Sequence, residues 1–288
     1  RKLLNKTKVP CKSRFTIMTD NIEVKELNEQ EYIEFLPRIT DFQTRFTFPI
    51  DSKHFYFDNG KDYFAWFKNM GDLHYFVALD GEQVVAVAAQ VTRQLVSSSG
   101  EKTEPFWYLC DLKVHPDYRG LGIPEKIFTN RFPHHYFRCP RGYAITIDPI
   151  DKSENAIVRM LQNFPMIPFS VATKMGIIML DTELMEEVDP ILRRHRGPIS
   201  YSSSAGTRDI VPEFGGDPLP ILHAQFGPCG QPGYNDPQEG HAHMFCAPLE
   251  DALIKDLEIR GIRPVTTMTV IHHRLENWQW QFILTNEI

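Results

Sequence analysis

The stretch Leu112-Lys113-Val114-His115-Pro116-Asp117-Tyr118-Arg119-Gly120-Leu121-Gly122-Ile123 carries an apolar run into a turn built from two glycines and an arginine. The run, residues 106–114, predicts a buried strand. Residues 124–131 predict a helix that Pro133 interrupts. A strand, a glycine turn and a helix in that order leave unpaired N–H groups at the helix start. Glycine lets an anion come close to that backbone, so the segment predicts a phosphate-binding corner. A tight turn that only caps a structural helix is the plainer alternative.

Outward from this corner, the pattern alternates between strand and helix. Residues 22–27 are strand-like, and Asn28 opens a helical stretch over 29–38. Residues 41–70 hold a cluster of aromatics that could wall a pocket or serve as local core. A hairpin follows, 74–79 and 83–90 joined by Asp80-Gly81. Residues 142–148 predict a strand, Asp151-Lys152-Ser153-Glu154 fits a capping box for a helix reaching Phe164, and 174–180 predict another strand. Strands interleaved with helices give an α/β unit over 22–181, with a mixed central sheet flanked by helices because hairpins break the parallel order.

The remainder has a different texture. Residues 197–240 hold 15 of the 38 Gly and Pro residues, so 182–240 reads as a Gly/Pro-rich linker with little regular structure. Order returns over 241–288. A strand over 243–247, a helix over 249–260 stopped by Gly261, and strands over 265–273 and 278–284 make a C-terminal β-α-β-β extension or small second domain. Its element order echoes the end of the first unit, as a degenerate second copy would.

Bulk properties narrow the function classes. The chain has 288 residues, 42% hydrophobic and 24% charged, an ordinary soluble composition. No apolar run reaches the roughly 20 residues that cross a bilayer. A net charge of −6 argues against nucleic acid as a partner, although residues 1–21 form a basic N-terminal arm with Arg1, Lys2, Lys6, Lys8, Lys12 and Arg14. The arm has no apolar core behind it, so it is not a signal peptide. A chain numbered from Arg1 rather than Met is expected after processing or trimming. Five scattered cysteines without a CxxC pair fit a reducing compartment, which makes the cytoplasm the expected location. His241 and His243 would share one strand face, but Cys246 falls on the other and no compact second pair exists, so no metal site is predicted.

The turn Arg119, Gly120, Leu121, Gly122, Ile123 resembles the pyrophosphate loop of the GCN5-related N-acetyltransferase superfamily, and the resemblance extends over about residues 22–181. It implies acetyl-CoA as co-substrate. The loop amides, with Arg119, would hold the pyrophosphate. Pro124 departs from the Gly or Ala of that motif and offers no N–H, and Glu125 places a negative charge nearby. The strand Tyr108-Leu109-Cys110-Asp111-Leu112-Lys113-Val114 is similar to the family's central strand, where Leu112, Lys113 and Val114 would lie along the pantetheine. Some aminoglycoside-modifying members carry an acid where Asp111 stands. Asp111 would draw in an ammonium and accept its proton, or would pair with backbone or a basic side chain. The helix start Ser153-Glu154-Asn155 resembles the family's, with Asn155 (or Ser153) near CoA. Where many members place a tyrosine acid this chain has Arg159 or Met160, leaving Tyr108, Tyr143 or water to protonate the thiolate.

The resemblance implies an N-acetyltransferase acting on a small-molecule or peptide amine by direct attack, with Asp111 and Tyr108 as catalytic candidates. Two alternatives stand beside it. One is a non-catalytic acyl-CoA-binding sensor, suggested by Pro124 and the missing tyrosine. The other is a partner-binding protein that works through its C-terminal unit.

Overall fold

The computed structural model describes residues 21–50, 53–96, 103–136, 139–151 and 153–288. All but Asn21 of the expected basic arm lies outside them. Strand β1 (Ile22–Glu26) leads into helix α1 (Glu29–Gln43), where Asn28 accepts from the Gln30 and Glu31 amides and Glu31 answers the Asn28 amide. Such a reciprocal cap is worth about 1 kcal/mol. Strands β2 (Phe48–Ile50) and β3 (Lys53–Asp58), helix α2 (Ala65–Met70) and the hairpin β4 (Asp72–Asp80) and β5 (Gln83–Val96) follow. Next come β6 (Thr103–Val114), α3 (Ile123–Tyr136), β7 (Gly142–Ile147), α4 (Ala156–Gln162) and β8 (Ser170–Leu180). The remaining elements are α5 (Thr182–Arg196), β9 (Ser200–Ser202), β10 (Asp209–Pro212), β11 (Ile221–Gln225), β12 (Ala242–Pro248), α6 (Ala252–Glu258) and β13 (Thr266–His273).

Ten strands form one mixed sheet in the order β1-β4-β5-β6-β7-β13-β8-β12-β11-β9, and β10, β3 and β2 form a small second sheet. The fold class is therefore the expected one, a mixed α/β layer architecture. Helices α1 and α2 cover one face of its first half, where Phe35, Ile39, Phe42 and Phe67 meet Tyr75, Val77 and Val91. Helices α3 and α4 cover the other, Ile123 and Ile127 against Ala86 and Ala88, Phe128 and Leu161 against Trp107 and Leu109. Helices α5 and α6 pack on the second half.

Among the described residues, only β6/β7 and β11/β12 are parallel pairs in the large sheet. Each pair's second strand is followed by a short helix, α4 or α6, and then by a strand at the sheet's centre. The central strands trade places: β8 lies against β12, whereas β13 lies between β7 and β8. The order β6-β7-β13-β8-β12-β11 thus has a pseudo-twofold character. A strand from the far end of the chain completes the first unit's sheet.

Several expectations need correction. The stretch 182–240 is no plain linker. It holds α5, β9, β10 and β11, because Met185, Val188, Ile191 and Leu192 give α5 one buried face and Asp181 caps its start. The glycines and prolines of 197–240 shape the turns between short strands. Residues 278–284 form no strand but a 3-10 turn, Trp280–Phe282, so the C-terminal unit is β-α-β. Their alternating bulk plugs the core instead, Trp278 against Phe106 and Trp280 against Tyr143. Asn155, not Asp151, caps α4, and α3 continues through Pro133 to Tyr136. A proline there forfeits one backbone bond at a cost of ~3 kcal/mol, which the buried Ile123, Ile127 and Phe128 outweigh.

Candidate functional site

The site grows from one irregularity in β6. Its partner β5 pairs Ala89 with Cys110 and Val87 with Lys113, so Asp111 and Leu112 stand opposite Ala88 alone. This is a β-bulge, with Asp111 at φ 53, a left-handed conformation that Asp tolerates better than most residues. Just before the bulge β6 parts from β7, while its pairing with β5 resumes beyond it. Parallel pairing of β6 with β7 stops at Leu109 and Ala144, although β6 runs to Val114 and β7 to Ile147. The opened edge is a cavity of about 290 Å³, lined among others by Tyr108, Asp111, Leu112, Lys113, Ile145 and Arg208.

The Asp111 side chain is 3% exposed and carries four donors. Its Oδ2 accepts from Tyr63 Oη at 2.5 Å, Tyr75 Oη at 2.7 Å and Gln43 Nε2 at 3.3 Å, and its Oδ1 accepts from Lys113 Nζ at 2.5 Å. Burial, reinforced by the Asp111 charge, holds the Tyr63 and Tyr75 hydroxyls well above the usual phenol pKa, so both remain donors. Tyr108 stacks on Tyr143 with ring centroids 4.8 Å apart. Its hydroxyl is kept protonated by burial and has no hydrogen-bond partner among the described residues. Burial also pushes the Cys110 thiol up, which leaves the cavity without a ready thiolate nucleophile.

At the end of β6, the His115 amide donates to Val85 and the Tyr118 hydroxyl to Asp80 Oδ2, fixing the turn. Gly120 and Gly122 have φ values of +77 and +69, and α3 starts directly after them. A Cβ at Gly120 would meet nothing within 4 Å, and one at Gly122 only Glu125 Oε2 at 3.9 Å. The turn is thus open to an approaching anion. Arg119 is exposed, with Nε 3.4 Å from the Val114 carbonyl, while Ile123 is buried as the anchor of α3.

The predicted residues therefore fall into two groups. Tyr108, Asp111, Leu112 and Lys113 line the cavity. Val114, Arg119, Gly120, Leu121, Gly122, Ile123 and Pro124 form the adjoining turn and helix start, outside its lining. Asn155 is committed structurally: Oδ1 accepts from the Ile157 and Val158 amides, and Nδ2 donates to the Ile147 carbonyl at 3.1 Å. Sequence reasoning missed Gln43, Tyr63, Tyr75 and Arg208. The aromatic cluster is both of its alternatives at once, since Phe46, Phe48 and Phe57 line the cavity whereas Phe42, Phe64 and Phe67 are core. Among the described residues no group of three or more His, Cys, Asp or Glu could hold a metal ion. His223, bonded to Thr285 Oγ1 at 2.8 Å, has its pKa pushed down to about 4 by burial and is neutral at pH 7. No helix among the described residues is long and apolar enough to cross a membrane.

Comparison with known proteins bears on the same segment. Residues 36–128 match the model of the Acetyltransferase (GNAT) family, a span that contains the bulged strand and the glycine turn. An uncharacterized protein, L340, of Acanthamoeba polyphaga mimivirus is 20% identical over 250 residues, covering 83% of this chain and 74% of that one. Among solved structures, a tandem GNAT protein from the clavulanic acid biosynthesis pathway aligns over 87% of this chain and 98% of its own, at 11% identity and a TM-score of 0.46. An aminoglycoside acetyltransferase from an uncultured soil metagenomic sample, in complex with sisomicin, aligns over 51% of this chain and 88% of its own, at 18% identity and a TM-score of 0.36.

Proposed function

We propose that the chain is an acyl-CoA-dependent N-acyltransferase that moves an acetyl group from acetyl-CoA to a primary amine by direct attack. The observation that carries this reading is the parting of β6 from β7 after Leu109, just ahead of the bulge, near a glycine turn at the start of α3. The parted edge leaves β6 backbone groups facing the cavity from the β7 side, where an extended amide-bearing arm can pair with them. Gly120 and Gly122 would admit a pyrophosphate to the amides at the α3 start, with Arg119 at the rim; Pro124 contributes none. The family match over residues 36–128 spans the bulged strand β6 and the glycine turn.

The reaction joins the amine nitrogen to the acyl carbon, breaks the carbon–sulfur bond and releases a proton to solvent. An alkyl ammonium of pKa ~10.4 must first lose a proton, at a cost of about 4–5 kcal/mol at pH 7. Asp111 supplies the negative charge that holds the ammonium, and the long Gln43 contact is the bond most readily exchanged for it. Tyr108, protonated and unbonded in the cavity, is the group placed to donate a proton to the departing sulfur. Burial raises the Cys110 thiol, which favours direct attack over an acyl-cysteine intermediate.

Turnover tests this reading. With acetyl-CoA and an amine panel, thiol release should accompany an acetylated product of matching mass. Tyr108→Phe should then lower kcat by roughly 100-fold, with the KM for acetyl-CoA within about twofold. An unchanged kcat would remove Tyr108 from the chemistry. CoA binding with no turnover on any amine would favour the sensor reading.

A further inference from the structure

Ile288 is a wall shared by two cavities. One is the β6–β7 cavity of about 290 Å³ that holds Asp111. The other is a smaller cavity of about 40 Å³, bounded by the buried Ile50, Ile177, Ile210 and Met244. Phe48, Phe57, Ile147 and Arg208 also line both, so the two spaces adjoin and Ile288 stands in the partition. His223 and Thr285, polar members of the smaller cavity's wall, bond to each other at 2.8 Å. A space lined in this way offers water few partners, and a methylene chain fills it better.

The partition is held in place, because residues 285–288 are tied one by one to separate parts of the fold. Thr285 Oγ1 bonds to His223 of β11 and donates to the Met244 carbonyl of β12 at 3.3 Å. The Trp66 indole N–H donates to the Asn286 carbonyl at 2.9 Å, and Glu287 pairs with Arg93 of β5. Arg208 Nε donates to the main-chain oxygen of Ile288 at 2.9 Å. The Arg208 guanidinium is itself stacked, with its carbon 3.9 Å from the Phe57 ring centroid and 3.8 Å from that of Trp66. Moving Ile288 aside would break several of these contacts, so its side chain is a fixed stop.

The stop stands on one face of the sheet. Ile288, Phe48 and Phe57 pack against the core that contains Tyr108 and the buried face of α1. Leu109, Phe128 and Ala144 line the same cavity from the α3–α4 face. The cavity therefore reaches both faces, and Ile288 bounds the part across the sheet from the α3 start.

We infer that the acceptor is a primary amine on an apolar stem, and that Ile288 limits the length of that stem as it runs from Asp111 along Phe57 toward the smaller cavity. The inference rests on the transferase reading for the acetylation of this amine but not for its binding. Linear primary amines from propylamine to octylamine are offered to the full chain with acetyl-CoA, and titrated into the CoA-saturated chain in a calorimeter. In the native protein, affinity and kcat/KM should rise with length, then fall at least about tenfold once the stem meets Ile288. Ile288→Ala should move that limit outward by about three methylenes, so the first amine that the native chain excludes gains roughly tenfold or more. Ile288→Phe should move it inward. Opposite shifts in the two variants exclude a folding defect as their cause. A length limit in binding that moves with residue 288 supports the inference even if no amine is acetylated, in which case the transferase reading alone fails. Acetylation with a limit that neither variant moves overturns the inference and leaves the transferase reading standing. A native chain that shows no length limit, or that binds no amine of the series, overturns it also.

Discussion

Asp111→Ala should cost about 3–5 kcal/mol of folding stability, because it removes the shared acceptor of four donors without removing any of them. The Tyr63, Tyr75 and Gln43 side chains and the Lys113 ammonium would all face a small apolar gap. Lys113 is 22% exposed and can turn to water, but Tyr75 is fully buried and Tyr63 nearly so. Alanine is also poorly suited to φ 53, which adds roughly 1 kcal/mol. In a chain of this length the melting temperature should fall by roughly 10 °C. Asp111→Asn, which keeps the shape and tolerates the backbone, should lose less stability. Denaturant titration of both variants measures the difference. A loss below about 1 kcal/mol for the alanine variant would mean that the four bonds do not hold the bulge.

The second large effect concerns the place where β6 and β7 still pair. Gly142 stands opposite Trp107, and a Cβ there would lie 1.9 Å from the ring carbon Cδ2 and 2.3 Å from the Trp107 carbonyl oxygen. Trp107 is fully buried, edge-on to Phe169 and stacked with His273, so its ring has no free direction. Gly142→Ala must therefore push the two strands apart and should cost 3 kcal/mol or more, roughly the upper end for overpacking. Gly81→Ala, in the β4–β5 turn with nothing within 4 Å, should cost only about 1 kcal/mol of positive-φ strain. Comparable unfolding midpoints for the two variants would contradict this account of the parallel pair.

The parts of the fold visible in the sequence are those with local causes. The Asp80-Gly81 hairpin, the apolar run of β6 and the glycine turn before α3 each rest on residues adjacent in the chain. The parts that escaped depend on pairing across the chain. Nothing near residues 266–273 signals that this strand will lie between β7 and β8. Periodicity also has two meanings. Trp278, Trp280 and Phe282 alternate as a half-buried strand would, yet Trp278 and Trp280 fill gaps against Phe106 and Tyr143.

The candidate site divides in the same manner. Asp111 stood out because an acid in an apolar strand demands a partner. Its partners did not, since Tyr63 and Tyr75 are aromatics among many and Gln43 ends a helix whose direction the sequence leaves open. Arg208 sits in the Gly/Pro-rich stretch, and only the folded chain brings Phe57 and Trp66 to its two faces. Asn155 is the converse case, a residue matched to a ligand role whose side chain caps α4 and ties it to β7.

The central claim is that the parted strands and the glycine turn receive an acyl-CoA. Calorimetric titration of CoA and acetyl-CoA into the native chain, beside Arg119→Ala and Gly122→Val, tests it most directly. The account predicts micromolar binding to the native chain, weakened about tenfold by the loss of Arg119 and more by a branched side chain at a left-handed backbone position. No heat of binding to the native chain, or equal affinity in all three proteins, would contradict it.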